Sequence, residues 1–342
     1  MDFLKTAINA AESLPAPDMI RKAAISWLVE KQRLELLGLS DDLPAQFARD
    51  MRSRPIAEHT DAANDQHYEV PAEFFRLVLG PRLKYSSCLY DQGARTLAEA
   101  EDRALTVTCE HAGLQDGMDI LELGCGWGSL SLWMADRYPN ARITSVSNSN
   151  GQREHIEAQA RARGHGNLRV ITADANVFQP EGTFDRVVSV EMFEHMANWG
   201  QLLGRVRDWL RPDGRLFIHI FSHRAQPYRF SHEDQDDWIG KYFFTGGFMP
   251  SHDLIRDFGD LFEVQEDWKW NGSHYEKTAL DWLANMDRED LAVRRIMKAT
   301  YGDQAGVWRR RWRLFFLATA GLFGHRDGQE WGVSHYLLRP VR

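Results

Sequence analysis

Residues 119–138 read DILELGCGWGSLSLWMADRY. DILEL is short, branched and apolar, the pattern of a buried strand. Gly124, Gly126 and Gly128 then let the backbone turn sharply and approach a ligand with no Cβ in the way. From Ser129 the pattern is helical. Strand, glycine turn and helix form the entrance to a nucleotide-type site.

The same alternation continues on both sides. RITSVS (142–147), LRVITAD (168–174), FDRVVSV (184–190) and GRLFIHIFS (214–222) read as strands separated by helical segments, the signature of a doubly wound parallel sheet. The expected fold is therefore α/β. Residues 1–60 read as a helical arm, because AAISWLVEKQRLELLGL (23–39) has helical apolar spacing closed by Gly38 and Pro44. Residues 61–105 form an aromatic cap segment and 106–222 the cofactor-binding core. Residues 223–260 break the rhythm with DDWIGKYFFTGGFMPS (236–251), a lid, followed by a returning helix SHDLIRDFG (251–259). Residues 261–342 complete the sheet with FEVQEDWKW (262–270) and GVSHYLLRPV (332–341) around a helical block at 276–324.

Composition removes several classes of function. The 342-residue chain carries a formal charge of −8, which disfavours general attraction to nucleic-acid phosphates. Its three cysteines, Cys88, Cys109 and Cys125, show no CxxC pair or metal spacing, so no metal site is expected and a reducing compartment is. The start, MDFLKTAINAAESLPAPD, has no long apolar core, and no run approaches 18 apolar residues. A cytoplasmic protein without a membrane span is the expectation. WRRRWRLFF (308–316) leaves peripheral lipid contact open, and a homodimer is also left open.

GxGxG after a strand is shared by dinucleotide enzymes and S-adenosylmethionine methyltransferases. A dinucleotide fingerprint has GxGxxG and an acid ending the second strand. GCGWGSL has neither the third spacing nor, in SVSNSNGQ, the acid. Ser147 and Gln152 stand there as hydrogen-bonding groups for ribose, and Asp174 ends the third strand as a group for adenine. S-adenosylmethionine is the favoured ligand.

HYEVPAEFF (67–75), LKYSS (83–87), LELGCGWGS (121–129), SNSNGQ (147–152), EMFEHM (191–196), FFTGGFMPS (243–251), NGSHYEKT (271–278) and EWGVSHYLL (330–338) occur in that order. As a set they resemble the cyclopropane-fatty-acid synthase superfamily, and more closely its coclaurine N-methyltransferase-like branch, which methylates amines. The resemblance implies a class I, Rossmann-like methyltransferase fold with a mostly parallel seven-stranded sheet. It also implies a cofactor site of Tyr85, Ser86, Glu122, Gly124, Gly126, Ser147, Asn148, Gln152, Asp174, Ala175 and Val190.

The two branches differ in chemistry. Methyl transfer to an alkene leaves a carbocation that must lose a proton, and the family removes it with a bicarbonate held by glutamate, histidine, tyrosine and cysteine. The matching positions here are Glu194, His219, Tyr275 and, in place of the cysteine, Ser87; a second family cysteine is Thr319. Where the synthases have glycine three residues before the glutamate, this chain has Glu191.

Glu191, Glu194 and His195 stand at i, i+3 and i+4 and would share one face of a helical turn. Two carboxylates bind an ammonium, and a histidine can remove or relay its proton. This trio is the expected catalytic set, with a small aromatic or cyclic amine as substrate and no bicarbonate. Tyr68, Glu69, His219, Phe244, Tyr275 and Trp331 are the expected substrate-binding residues, since aromatic faces stack on rings and attract cations. Core packing is the alternative for His219, Tyr275 and the lid aromatics.

Overall fold

The computed structural model describes residues 17–58, 70–230 and 238–342. Tyr68 and Glu69 lie outside the described residues, as does part of the lid. The helices are α1 (Asp18–Leu37), α2 (Leu43–Met51), α3 (Ala72–Val78), α4 (Leu97–His111), α5 (Ser129–Arg137), α6 (Asn150–Arg163), α7 (Trp199–Trp209), α8 (Trp238–Tyr242), α9 (Ser273–Arg288), α10 (Asp290–Tyr301) and α11 (Ala305–Phe323). The strands are β1 (Asp119–Leu123), β2 (Arg142–Ser147), β3 (Leu168–Thr172), β4 (Phe184–Val190), β5 (Leu210–His223), β6 (Tyr228–Arg229), β7 (Phe248–Met249), β8 (Phe262–Asn271) and β9 (Trp331–Pro340).

Seven strands form one sheet in the order β3-β2-β1-β4-β5-β9-β8. The first five pair in parallel, and β9 runs antiparallel to both β5 and β8. The order reverses between β1 and β4, so a crevice opens at their carboxyl ends, where such sheets bind ligands. β1 is buried from Ile120 to Leu123, which is why DILEL is apolar apart from Asp119 at its start and Glu122. Helix α4 begins with a reciprocal cap: the Thr96 side chain accepts from Glu99 N–H, and the Glu99 carboxylate accepts from Thr96 N–H.

The helical block folds back as α9, α10 and α11, and aromatic rings fill the space between it and the crevice. Phe243 stacks on Phe315 with centroids 4.3 Å apart, and Trp282 and Trp312 are each 1% exposed. The arm reaches the same edge: Ala57 bridges Met196, and its N–H donates to Asn176 Oδ1 at 3.0 Å. One expected helix is different. SHDLIRDFG forms a 3₁₀ segment, Leu254–Phe258, because its start is tied to β5 by the bridge between His223 and Ser251 and its end is closed by Gly259. No helix among the described residues is long and apolar enough to cross a membrane.

Candidate active site

The glycine turn after β1 divides its tasks between packing and access. Gly124, Gly126 and Gly128 all have left-handed φ, at 79°, 50° and 83°. A Cβ on Gly124 would lie 2.8 Å from the Met192 Cβ, and one on Gly128 would lie 2.5 Å from Ile156 Cγ1. A Cβ on Gly126 would meet nothing within 4 Å, because that position faces a cavity of about 560 Å³. The crevice between β1 and β4 opens into this cavity.

Every residue expected to hold the cofactor lines it: Tyr85, Ser86, Glu122, Gly124, Gly126, Ser147, Asn148, Gln152, Asp174, Ala175 and Val190. Their local bonds fix their directions. Glu122 is buried and accepts from the hydroxyls of Ser131 and Ser145, both on Oε2; burial raises its pKa. Ser147 donates to Gln152 Oε1 at 2.6 Å, and Ser149 caps α6 by accepting from Gln152 N–H. Asp174 Oδ1 accepts from Asn176 N–H, while Arg205 donates to the carbonyls of Ala175, Asn176 and Phe178 and holds that loop against the cavity. A nucleoside-sized ligand fits these donors and acceptors and the open face of Gly126.

At the inner end the carboxylates meet. Glu191 does not lie on a helical turn: it follows β4 directly with a left-handed φ of 45°, and only Phe193–His195 form a 3₁₀ turn. The shared helical face is therefore replaced by a corner, set where Glu191 N–H donates to the His219 carbonyl at 2.8 Å. Three groups converge on the Glu191 carboxylate. Ser87 N–H donates to Oε1 at 3.1 Å, His219 Nε2 lies 3.3 Å from the same oxygen, and the Tyr275 hydroxyl donates to Oε2 at 2.8 Å. Burial raises the Glu191 pKa, opposed by the Lys84 cation and by the Tyr275 and Ser87 bonds.

Glu194 is 1% exposed, and its Oε2 has no hydrogen-bond partner. Burial, and then the neighbouring Glu191, push its pKa well above the usual carboxylate range. His195 lines the same cavity and stacks on Phe244 with rings 5° from parallel.

Phe244 and Tyr275 also line the cavity; His219 reaches it only through Glu191. Trp331 does not line it. It is the first residue of β9, 1% exposed, with its indole N–H donating to the Tyr228 hydroxyl, so it packs the core beneath the lid ribbon. Thr319 donates to the Phe315 carbonyl within its own helix.

Lys84 escaped sequence reasoning although LKYSS was singled out, because a lysine between Leu83 and Tyr85 looks like a surface charge. It is 2% exposed, lines the cavity and donates to Ser86 Oγ at 2.5 Å and to the Ser87 carbonyl at 2.6 Å. Its counter-charges come from elsewhere in the chain, Glu191 and Glu101, and burial lowers its pKa.

The chain is similar to proteins of known activity. It is 35% identical over 315 residues to the (S)-coclaurine N-methyltransferase of Thalictrum flavum subsp. glaucum, covering 91% of this chain and 85% of that one. It is 29% identical over 305 residues to the cyclopropane-fatty-acyl-phospholipid synthase of Escherichia coli K12, covering 86% of this chain and 75% of that one. Its fold matches the crystal structure of coclaurine N-methyltransferase bound to N-methylheliamine and SAH, with a TM-score of 0.90, 30% identity and 99% of each chain covered. The fold is that of a Rossmann-like, S-adenosylmethionine-dependent methyltransferase. Residues 57–330 match the family described as mycolic acid cyclopropane synthetase, and the chain belongs to that family.

Proposed function

We propose that this methyltransferase transfers the methyl group to the nitrogen of a small aromatic or cyclic amine. The observation that carries the reading is the convergence of Ser87 N–H, His219 Nε2 and the Tyr275 hydroxyl on Glu191. Those are positions that the family resemblance assigns to a bicarbonate. Here they are already spent on a carboxylate supplied by the chain, and a second anion beside it would be repelled.

Bound S-adenosylmethionine supplies the electrophilic methyl. The residues of the chain bind the amine and take its proton. An ammonium entering the inner cavity meets the Glu191 carboxyl group and the unpartnered Oε2 of Glu194, in surroundings where burial strengthens electrostatic attraction. Phe244, stacked on His195, offers an aromatic face to the substrate ring. One N–H⁺ proton passes to Glu191 or His195, and the freed lone pair is then available for in-line attack. The N-methyltransferase relatives support this choice of nucleophile.

The rival is methylation of an unsaturated lipid, kept in view by Glu194, His219 and Tyr275 and by the synthase relative. Labelled-methyl cofactor is offered with heliamine and, in parallel, with vesicles of unsaturated phosphatidylethanolamine, each with and without added bicarbonate. Label in heliamine that is indifferent to bicarbonate is expected. Label in the lipid that rises with bicarbonate overturns the proposal.

A further inference from the structure

Behind Glu191, on the side away from the cavity, three histidines from distant parts of the chain form an unbroken line. His219 Nε2 meets Glu191 Oε1 at 3.3 Å, and its Nδ1 meets His335 Nε2 at 2.7 Å. His335 Nδ1 in turn meets His111 Nδ1 at 2.9 Å. His219 and His335 are fully buried, whereas His111, at the last turn of α4, is partly exposed. Strand register creates the line. His219 and His335 are direct partners across β5 and β9, and His335 is the partner of Trp268 across β9 and β8. Trp268 stacks on His111 with centroids 3.8 Å apart and holds that ring in place.

A satisfied core does not require this arrangement. Two adjacent polar rings in the interior of a sheet, with a third beside them, cost desolvation that apolar residues would avoid. Each ring nitrogen on the line is committed to the next group, and one end of the line is the carboxylate of the site while the other touches solvent. We propose that His219, His335 and His111 are a proton path between Glu191 and solvent, through which the proton released by the amine leaves the closed site. This rests on the amine reading above.

The step balances as a relay. Protonated Glu191 donates its O–H to His219 Nε2. The proton on His219 Nδ1 passes to His335 Nε2, that on His335 Nδ1 to His111 Nδ1, and that on His111 Nε2 to water. One proton enters at the carboxylate and one leaves at the surface; each ring stays neutral and no electrons change hands. A ring turned about its Cβ–Cγ bond keeps its proton on the same nitrogen, so the starting register is restored by proton exchange with water during local opening, a motion of microseconds to seconds. The surroundings keep the rings uncharged. The cations acting on them are Arg103, on α4 beside His111, and Lys84, near His219 and His335. Together with burial, which is the larger cause, they lower the pKa of all three rings, His111 to about 4.

His111→Ala opens a hole next to His335 Nδ1 at the surface, and His335→Gln interrupts the path inside. With heliamine as substrate, both variants are expected to lose about tenfold in kcat, less than the roughly 10²–10⁴-fold of a lost acid–base group because the path acts after the proton has left the amine, with KM and cofactor affinity unchanged. Free imidazole is expected to restore His111→Ala and not His335→Gln. Long-range proton–nitrogen NMR of the wild type checks the path without turnover: each ring should be neutral near pH 7, with its single proton in one continuous register. Wild-type kcat in both variants, or two bare or two protonated nitrogens facing each other in the line, overturns the path. Absence of heliamine methylation by the wild type counts against the amine reading instead, and the NMR register then decides the path alone.

Discussion

Tyr275 donates its hydroxyl to Glu191 Oε2 at 2.8 Å across 84 residues of sequence, and the acceptor is a glutamate held at a φ that favours glycine. A left-handed glutamate costs on the order of 1–3 kcal/mol, and in return its carboxylate accepts from Ser87 N–H and the Tyr275 hydroxyl with His219 Nε2 beside it.

Removing that carboxylate should therefore leave a receptor for a small anion. Glu191→Gln is expected to lower kcat/KM by roughly 10²–10⁴-fold, the usual range for a lost acid–base group. Glu191→Gly relieves the backbone strain and empties the place between Ser87, His219 and Tyr275. Added formate or bicarbonate should then recover part of the rate in the glycine variant and none in the glutamine variant. Steady-state kinetics against anion concentration measures this; no recovery by any small anion would contradict it.

The glycine turn should separate binding from folding. Gly126→Val projects into the cavity, so cofactor affinity measured by calorimetry should vanish while the far-ultraviolet spectrum and cooperative unfolding remain. Gly128→Ala instead meets Ile156 Cγ1 at 2.5 Å with φ at 83°, and should lose about 1–3 kcal/mol of stability, as overpacked sites do. Because φ at Gly126 is 50° and valine is strained there too, the deciding reading is the cofactor: retained affinity in Gly126→Val, or lost affinity in a folded Gly128→Ala, would show that the two positions are not distinguished in this way.

Lys84 favours the ionised form of Glu191. Lys84→Met removes that cation, so the carboxylate becomes harder to ionise and the acid limb of the kcat/KM profile should move to higher pH. A buried lysine also orders Ser86 and Ser87, and the variant is expected to be less stable. The direction of the acid limb is the decisive reading: movement to lower pH would mean that Lys84 does not carry charge near Glu191.

Glu101 seats the loop that bears Lys84 and Tyr85, accepting from Arg82 N–H at 2.8 Å and Lys84 N–H at 3.1 Å. Burial raises its pKa from 4.5 to about 7. The folded chain therefore holds a proton that the unfolded chain releases. Its contribution to stability is full below about pH 4.5 and is lost as pH rises through about 7, by on the order of 3 kcal/mol. Unfolding free energy measured from pH 4.5 to 8 should show the wild type losing ground relative to Glu101→Gln across that window. A constant difference would mean that the carboxyl titrates alike in both states.

The seven main strands and the glycine turn were legible in the sequence because each is written locally, whereas Tyr85, Ser86, Asn148, Ala175 and Val190 were expected at the cofactor only from the family resemblance. A five-residue apolar run makes β1, and three glycines in five positions can only turn. The residues that follow each strand end at the same sheet edge whatever the loops do. The motif EMFEHM likewise announced its carboxylates, yet the spacing suggested a helical face where the chain makes a left-handed corner. That corner depends on the Glu191 N–H reaching the His219 carbonyl of the neighbouring strand, a contact no local pattern encodes. Trp331 looked like a ring for substrate and became core because the lid ribbon covers it with Tyr228. Lys84 looked like surface until Glu191 and Glu101 arrived from other elements to balance its charge. The histidine line is the plainest case. His111, His219 and His335 carry no spacing in sequence; the antiparallel register of β5, β9 and β8 sets His219 and His335 side by side, and the packing of α4 brings His111 against His335 and Trp268, contacts decided by tertiary structure rather than by neighbours in the chain.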